Sequence, residues 1–169
     1  MKRNHDEYAD FVRATGTQLH RAALLLTGDH HLAEDLTQAT YAKVFARWGR
    51  VSAADNPLAY ARTTLLNTFL SHRRLRRNSE QPVDLTVGAE LETLPVDHAA
   101  RLDLLAALAT LPALDRAVVV LRYWEDRSVA DTAIDLDLTE TAVRTRARRA
   151  LLRLRPLLDH LDLSERTPS

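Results

Sequence analysis

One stretch decides the architecture of the C-terminal half: Ser128-Val-Ala-Asp-Thr-Ala-Ile-Asp-Leu-Asp-Leu-Thr-Glu-Thr-Ala-Val-Arg-Thr-Arg-Ala-Arg-Arg149. Ser128 and Asp131 have the spacing of a capping box, with Asp in place of the preferred Glu or Gln, and predict the start of a short helix. A tight turn at 136–138 follows, and Thr139 is placed to cap a long helix that reaches about residue 159. A helix of about eight residues, a turn of about three or four and a second helix with a polar start have the dimensions of a helix-turn-helix.

The apolar and polar residues of this stretch separate as such a motif requires. The positions predicted to pack inward are Ala130, Ala133, Ile134, Leu138, Val143 and Leu151. The positions predicted to enter the major groove share one helix face by their three- and four-residue spacing; they are Arg144, Thr145, Arg148 and Arg149. Arginine can bond guanine edges bidentately, and threonine can reach bases or phosphates. Arg146 and Arg153 are expected to hold phosphates. The alternative is an arginine-rich helix that faces solvent or an acidic protein.

Upstream of this motif, two more helices and a linker are predicted. The first helix covers 97–111, and Pro112 opens a second helix that ends at Tyr123-Trp124. Between 78 and 96 the hydrophobic period fails, with prolines, Gly88 and scattered acids, which is typical of a linker between domains. The C-terminal domain is therefore expected at 97–160.

The N-terminal half predicts three helices that form a domain at 6–77. The first covers 6–26 and stops at Thr27-Gly28, and Asp29 is a good N-cap for the second. The second helix ends near Gly49 and a loop covers 50–55. Asn56-Pro57 then combines an N-cap with proline at the first helical position. The residues expected to face inward in the first two helices include Phe11, Leu19, Leu26, Leu36, Val44, Phe45 and Trp48.

Composition favours an all-α protein and the charge distribution indicates a polyanionic partner. Ala, Leu and Arg dominate, while only four glycines occur. The formal net charge is zero, but arginine clusters without acids at 56–79 and 141–158, and the segment 80–115 between them is acidic. Two basic blocks around an acidic spacer suit a protein that touches nucleic acid at two places.

Composition also excludes several classes of site. The chain has no cysteine, which excludes disulfides, thiolate metal sites and cysteine nucleophiles. The N-terminus lacks the apolar core of a signal peptide, and no apolar run is long enough to span a bilayer. We therefore expect a cytoplasmic protein without membrane insertion and without a cofactor.

Two groups of motifs resemble one family. The residues Leu111-Pro-Ala-Leu-Asp-Arg-Ala-Val-Val-Val-Leu-Arg-Tyr-Trp-Glu-Asp126, Ala142-Val-Arg-Thr-Arg146 and Arg149-Ala-Leu-Leu-Arg-Leu-Arg155 resemble region 4 of extracytoplasmic-function (ECF) sigma factors, most closely the actinobacterial SigE-like branch. Ala33-Glu-Asp-Leu-Thr-Gln38 and Pro57-Leu-Ala-Tyr-Ala-Arg-Thr-Thr-Leu-Leu-Asn-Thr-Phe-Leu70 resemble region 2. The two groups stand in the right order and cover nearly the whole chain apart from the linker and the ends.

The resemblance implies a sigma factor without catalytic activity, and it implies contacts with core RNA polymerase. The segment 34–38 matches the surface that grips the coiled coil of the β′ clamp, with Asp35 and Gln38 as polar contacts. The expected supporting residues are Tyr41, Lys43 and Arg47. The second domain is expected to meet the β flap. An anti-sigma factor is a further partner of this family, and the sequence does not identify one.

The resemblance also implies contacts with promoter DNA. The loop 51–56 matches the loop that captures a flipped base, which exposes its Watson–Crick edge. Residues expected at the −10 element are Arg62, Asn67, Arg73, Arg74, Arg76 and Arg77. Residues expected at the −35 element are Thr139, Arg144, Thr145, Arg146, Arg148, Arg149 and Arg153. Acids of the linker, Glu80, Asp84, Glu90 and Glu92, suit phosphate mimicry.

Two positions depart from the family pattern. Asp137 stands where the turn usually carries Gly, and Ala142 stands where Thr is common. Asp tolerates the left-handed conformation of such a turn less well than Gly does. Neither departure affects the expected fold, but both bear on the −35 preference.

Three other classes of function remain alternatives: an enzyme, a different helix-turn-helix regulator, and a module that only binds other proteins, such as a partner of an anti-factor. His31 and Asp35 form an i, i+4 pair able to share a metal in an enzyme, but no further ligand cluster stands out. A helix-turn-helix repressor or response-regulator output domain would explain the C-terminal half equally well. It would not explain the N-terminal half.

Overall fold

The chain divides into two compact units, Met1–Asp84 and Leu85–Ser169. The structure, a computed structural model, describes residues 2–76 and 98–164. Every secondary-structure element in these ranges is a helix. The all-α prediction is therefore confirmed. The predicted linker and Arg77 lie outside the described residues, as does the side chain of Arg76.

The N-terminal unit contains helices α1 (Lys2–Thr27), α2 (His30–Ala46), α3 (Trp48–Val51) and α4 (Pro57–Arg76). Helix α2 packs against both α1 and α4. The core cluster is formed by Leu19, Val44, Trp48, Val51 and Ala61, with Tyr8, Phe11, Tyr41, Leu58 and Tyr60 packed against it. Burial of these apolar faces supplies the main force that joins the helices.

The helix ends in this unit follow the predicted capping residues. Gly28 has a φ of 69°, and its N–H donates to the carbonyl of Leu24 at 2.8 Å. Only glycine adopts this left-handed conformation at little cost, so α1 ends here. Asp29 Oδ1 accepts from the Leu32 N–H at 2.9 Å, and Asn56 Oδ1 accepts from the Ala59 N–H at 3.0 Å. Both predicted N-caps are confirmed.

The predicted loop at 50–55 begins too early. Arg50 and Val51 belong to the one-turn helix α3, and Val51 is fully buried in the core. Val51 is therefore not part of an open loop, and the expectation that it helps to capture a flipped base was wrong. Phe45 was expected to face inward, but its ring is exposed and contacts the rings of His5 and Tyr8.

The C-terminal unit contains α5 (His98–Ala109), α6 (Ala113–Val119), α7 (Val129–Leu136) and α8 (Glu140–Ser164). Helix α6 continues into a π-helical turn, Val120–Trp124. Pro112 is the N-cap of α6, one position before the expected first helical residue. Helix α8 packs against α5, α6 and α7 and extends past the predicted end near residue 159.

A buried arginine of α6 forms hydrogen bonds with the segment that connects α5 to α6. Arg116 is almost fully buried, and its Nη2 donates to the carbonyls of Ala109 at 3.2 Å and Leu111 at 3.0 Å. These carbonyls lie at the end of α5 and two residues beyond it, where helical partners are absent and a cation is favoured. Arg116 therefore joins the first two helices of this unit.

The turn of the helix-turn-helix has the predicted geometry. Ser128 Oγ accepts from the Asp131 N–H at 3.0 Å, and Thr139 Oγ1 accepts from the Ala142 N–H at 3.1 Å. Asp137 has φ 53° and ψ 49°, the left-handed conformation expected where the family carries Gly. The turn and both caps are therefore confirmed.

Three residues expected to pack inside this motif lie outside it. Ile134 is 78% exposed, and Ala130 and Leu151 are also exposed. On α7 the buried face is instead formed by Thr132, Ala133 and Leu136. The inward prediction was wrong for Ala130, Ile134 and Leu151 because a period of three or four residues admits neighbouring positions, and only packing against the neighbouring helices selects among them.

Candidate nucleic-acid and polymerase interfaces

The outward face of α8 carries most of the residues predicted to contact the −35 element. Thr139, Arg144, Thr145, Arg148 and Arg153 are all exposed. Helix α8 is fixed from below by Val143, Ala147, Ala150 and Leu154, which are buried. One side of the helix is thus an apolar seam, and the opposite side presents cationic and hydroxyl groups to solvent.

Arg144 is held loosely on this face. Its Nη2 lies 3.0 Å from Oε2 of Glu140, one helical turn earlier, and both side chains are exposed. Exposed pairs at i, i+4 contribute only about 0.3–0.5 kcal/mol. Arg144 can therefore leave Glu140 for a base edge or a phosphate at small cost.

Two other arginines of α8 are anchored inside the unit. Asp115, in the first turn of α6, accepts from Nη1 of Arg146 at 2.7 Å. It also accepts from Nε of Arg149 at 3.0 Å and from Nη2 of Arg149 at 2.7 Å. The sequence reasoning missed Asp115, because it precedes its partners by 31 and 34 residues. The only sequence signal is an acid in the first turn of the helix that follows Pro112.

A groove of about 330 Å³ runs beside this face. Its lining combines four arginines with apolar side chains: Arg122, Tyr123, Val129, Arg144, Ala147, Arg148, Leu151, Leu152 and Arg155. Sequence reasoning did not single out Arg122 or Arg155. Arg122 reaches the groove from the π-helical turn, and its Nη1 donates to the carbonyl of Arg127.

The loop that precedes α7 is pinned by an ion pair. Arg127 Nε donates to Oδ2 of Asp135 at 2.9 Å, and its Nη2 donates to Oδ1 at 3.2 Å. The hydrogen bond to Asp135 raises the pKa of Arg127 above its ordinary value, and the nearby carboxylates of Asp131 and Glu125 act in the same direction. This pair holds the first helix of the motif against the preceding turn.

Helix α4 presents the residues predicted at the −10 element unequally. Asn67 and Arg74 are exposed, and Arg73 is half-buried with its guanidinium 6.0 Å from the ring centroid of Phe69. Arg62 is only 9% exposed. Asn67 and Arg74 thus have the most surface available for DNA, whereas Arg62 has the least.

Helix α2 carries an exposed stripe on the side away from the core. Asp35 and Gln38, three residues apart, lie on it together. The other exposed members at the same helical spacing are His31, Ala42 and Phe45. The stripe therefore combines an acid, an amide and an aromatic ring on one surface.

Two further residues predicted at the polymerase contact link α2 and its end to α4. Lys43 Nζ donates to Oγ1 of Thr68 at 2.9 Å. Arg47 Nη1 donates to the hydroxyl of Tyr60 at 3.4 Å, and Arg47 remains exposed. Both side chains contribute to packing within the unit whatever they contact outside it.

The side chain of Tyr41 is half-buried, and its hydroxyl forms a hydrogen bond inside the unit. The hydroxyl of Thr15 donates to the carbonyl of Phe11 at 2.7 Å and also forms a 2.8 Å hydrogen bond with the hydroxyl of Tyr41. Burial raises the pKa of Tyr41, while the hydrogen bond to Thr15 lowers it by a smaller amount. Burial also raises the pKa of Tyr8, which donates to the backbone carbonyl of Tyr41 at 2.9 Å.

Neither a metal cluster nor a membrane span occurs in the described part of the chain. Within residues 2–76 and 98–164, no group of three or more histidine and acidic side chains is placed to hold a metal ion. No described helix combines the length and apolar character needed to cross a bilayer.

The fold and the face of α8 define an all-helical DNA-binding protein of the helix-turn-helix class. Comparison with protein families refines this. The model of sigma-70 region 2 matches residues 11–79, and the model of sigma-70 region 4 matches residues 101–154. Each match covers the helices of one unit.

Individual relatives agree. The RNA polymerase sigma-E factor of Streptomyces avermitilis is 33% identical over 160 residues, covering 95% of this chain and 89% of the relative. The ECF RNA polymerase sigma factor SigL of Mycobacterium tuberculosis is 32% identical over 170 residues, covering 97% and 92%. The sigma factor RpoE of Bartonella quintana, solved with the anti-sigma factor NepR, has a TM-score of 0.75 at 26% identity, covering 90% of this chain and 97% of that one.

The chain belongs to the ECF group of the sigma-70 family of RNA polymerase sigma factors. It is a transcription initiation factor that binds core RNA polymerase and directs promoter recognition. The alternative of a helix-turn-helix regulator outside this family does not account for the region 2 match of the first unit.

Proposed function

We propose that the exposed stripe of α2 docks on the β′ clamp, that α4 holds the −10 element and that α8 reads the −35 element. One observation carries this assignment. The polar residues that the family resemblance selected, Asp35 and Gln38 on α2 and Arg144 and Arg148 on α8, all lie on faces that the core does not use. The chain acts without a catalytic site of its own, in the cytoplasm with the polymerase.

At the clamp, Asp35 and Gln38 supply the polar contacts and Phe45 supplies apolar area beside them. An aromatic ring next to polar groups is typical of residues that contribute strongly to interfaces. Arg47 lies close to the stripe, at the C-cap of α2, and adds a cation. Tyr41 supports this surface from inside, since its hydroxyl is bonded to Thr15.

At the −10 element, Asn67 and Arg74 of α4 are the proposed contacts. An amide can read the Watson–Crick edge of an extruded base, and a guanidinium can hold the adjacent phosphates. The loop at 52–56 ends with Asn56, directly before α4, and receives the flipped base. Opening DNA costs a few kcal/mol per step, and preferential binding of the extruded base offsets this cost.

At the −35 element, the proposed base-reading group is Arg144, Thr145, Arg148 and Arg149. Thr139, Arg146 and Arg153 are the proposed phosphate contacts. The β flap is the proposed polymerase contact of this unit. We further propose an anti-sigma factor as a regulatory partner, supported by the complex in which the Bartonella relative was solved.

The clamp assignment is tested by co-purification of the full chain with core polymerase. Gln38→Ala is expected to weaken the complex by about tenfold, because one buried polar contact is lost. Gln18→Ala, also an exposed glutamine of this unit, is the matched control and should leave the affinity unchanged. Thermal unfolding of both variants establishes that the fold is intact. Equal affinity for Gln38→Ala and the wild type would exclude this face as the docking surface.

A further inference from the structure

The arginines of α8 fall into two groups that the sequence does not distinguish. Arg144 and Arg148 lie on the open face and line the groove. Arg146 and Arg149 bond to Asp115 of α6. The pair Arg146 and Arg149 is unusual, because a carboxylate on a neighbouring helix, that of Asp115 on α6, determines where these two cations of α8 lie.

The contact between Asp115 and Arg149 uses one edge of the guanidinium. The carboxylate takes Nε and Nη2, at 3.0 and 2.7 Å. A guanidinium is planar and offers donors along more than one edge. The carboxylate of Asp115 holds the edge of the guanidinium that carries Nε. The other edge, formed by Nη1 and the second hydrogen of Nη2, faces away from the carboxylate and is called the outer edge. The side chain of Arg149 is 58% exposed although that of Asp115 is 2% exposed.

An outer edge held in one orientation is suited to guanine. Guanine presents O6 and N7 as two adjacent acceptors in the major groove, and a guanidinium bonds both at once. A long, unrestrained side chain loses rotamer entropy when it forms such a pair, and a pre-organised one loses less. Arg146 differs, because a single Nη1 bond joins it to Asp115 and its side chain is 30% exposed. It is better placed for a phosphate than for a base.

We propose that Asp115 is a positioning residue that determines base preference at the −35 element by orienting the outer edge of Arg149 toward a guanine. Asp115 itself does not touch DNA. This inference rests on the proposed −35 role of α8 and adds a specificity determinant on α6 that lies outside the helix-turn-helix.

The test uses reconstituted holoenzyme and a promoter library with a randomised −35 region and a constant −10 element. Asp115→Asn keeps the shape of the side chain but weakens the pair of hydrogen bonds from Nε and Nη2 of Arg149. The preference for guanine at one base pair should fall by roughly tenfold, in line with loss of an oriented bidentate contact. Arg149→Ala should lose the preference at the same base pair, and the double variant should be no worse than Arg149→Ala alone. Arg146→Ala should weaken binding at all sequences without changing the preference.

The outcomes separate this inference from the proposed function. If the wild type shows no −35 preference, the proposed role of α8 fails and this inference fails with it. If the wild type shows a preference that Asp115→Asn leaves unchanged, only the inference fails. If Asp115→Asn does not fold, Asp115→Glu replaces it, because glutamate keeps the charge but its longer side chain changes the orientation in which the guanidinium of Arg149 is held. Loss of preference at one base pair with an unchanged salt dependence then supports the inference, and an unchanged preference overturns it.

Discussion

Asp115 and Arg149, 34 residues apart in sequence, are joined by a two-pronged ion pair between α6 and α8. The carboxylate is buried and the guanidinium is largely exposed. The pair therefore holds α8 on α6 while it leaves a cation at the surface.

Weakening that contact should destabilise the C-terminal unit. Asp115→Asn removes a buried charge that accepts hydrogen bonds from two guanidiniums, and we expect the free energy of unfolding to fall by about 1–3 kcal/mol. The exposure of the two arginines keeps the loss below that of a fully buried pair. Urea denaturation measures it. Glu140→Gln, the same acid-to-amide change in the exposed pair with Arg144, should change stability by less than about 0.5 kcal/mol. Equal effects of the two variants would contradict the structural role of Asp115.

Arg144 should contribute to sequence discrimination. Arg144→Ala is expected to cost roughly 1–3 kcal/mol of preference between cognate and altered −35 sequences, because a bidentate base contact is lost. Transcription from the two promoters by reconstituted holoenzyme measures the preference. Arg3→Ala is the matched control, since Arg3 also pairs with a glutamate at i, i+4 on an exposed surface. A loss in Arg144→Ala that is uniform across promoters would assign Arg144 to phosphates instead.

Asp137 should be a point where stability can be gained. Its φ of 53° is strained for a residue with a Cβ, so Asp137→Gly relieves strain at the cost of a more flexible unfolded chain. We expect a net gain of up to about 1 kcal/mol for glycine. A β-branched residue is most strained here, so Asp137→Val should lose roughly 1–2 kcal/mol. Thermal unfolding of the glycine and valine variants measures which of them is more stable. A valine variant as stable as the glycine variant would show that the turn can adopt another conformation.

Alkaline pH should destabilise the N-terminal unit through its buried tyrosines. Burial raises the pKa of Tyr41 and of Tyr8 above 10.0. A raised folded-state pKa gives stability that is fully present below the unfolded pKa and is lost as the pH rises through the folded pKa. Urea midpoints should therefore fall as the pH rises above about 10.

Tyr41→Phe separates this effect from general alkaline damage. The variant loses the hydrogen bond to Thr15 and should start about 1 kcal/mol less stable, but its stability should fall less over the same pH range. A decline equal to that of the wild type would remove Tyr41 from the explanation.

Local signals in the sequence were sufficient for most of the helices and for several of their N-termini. Asp29, Asn56, Ser128 and Thr139 cap helices as predicted, because a cap requires only a side chain and an N–H about three residues later. The left-handed turn at Asp137 was predictable from the family resemblance, since the family usually carries Gly at this position. The exposed candidate residues on α2 and α8 followed from helical spacing together with the family resemblance.

Which residues pack inside was less predictable. Val51 was assigned to a loop yet is part of the core, while Ile134 and Leu151 were assigned to the interior yet are exposed. Hydrophobic spacing defines a stripe on a helix, but the neighbouring helices decide which edge of that stripe is covered.

The sequence by itself determined the class of fold, the two halves, the caps and the family, because these depend on residues close together along the chain or on short motifs. Only the tertiary structure decided that Asp115 holds Arg146 and Arg149, while Arg144 and Arg148 stay open on the groove. The physical reason is that an ion pair between α6 and α8 depends on how the two helices pack, and no periodicity within either helix encodes that distance.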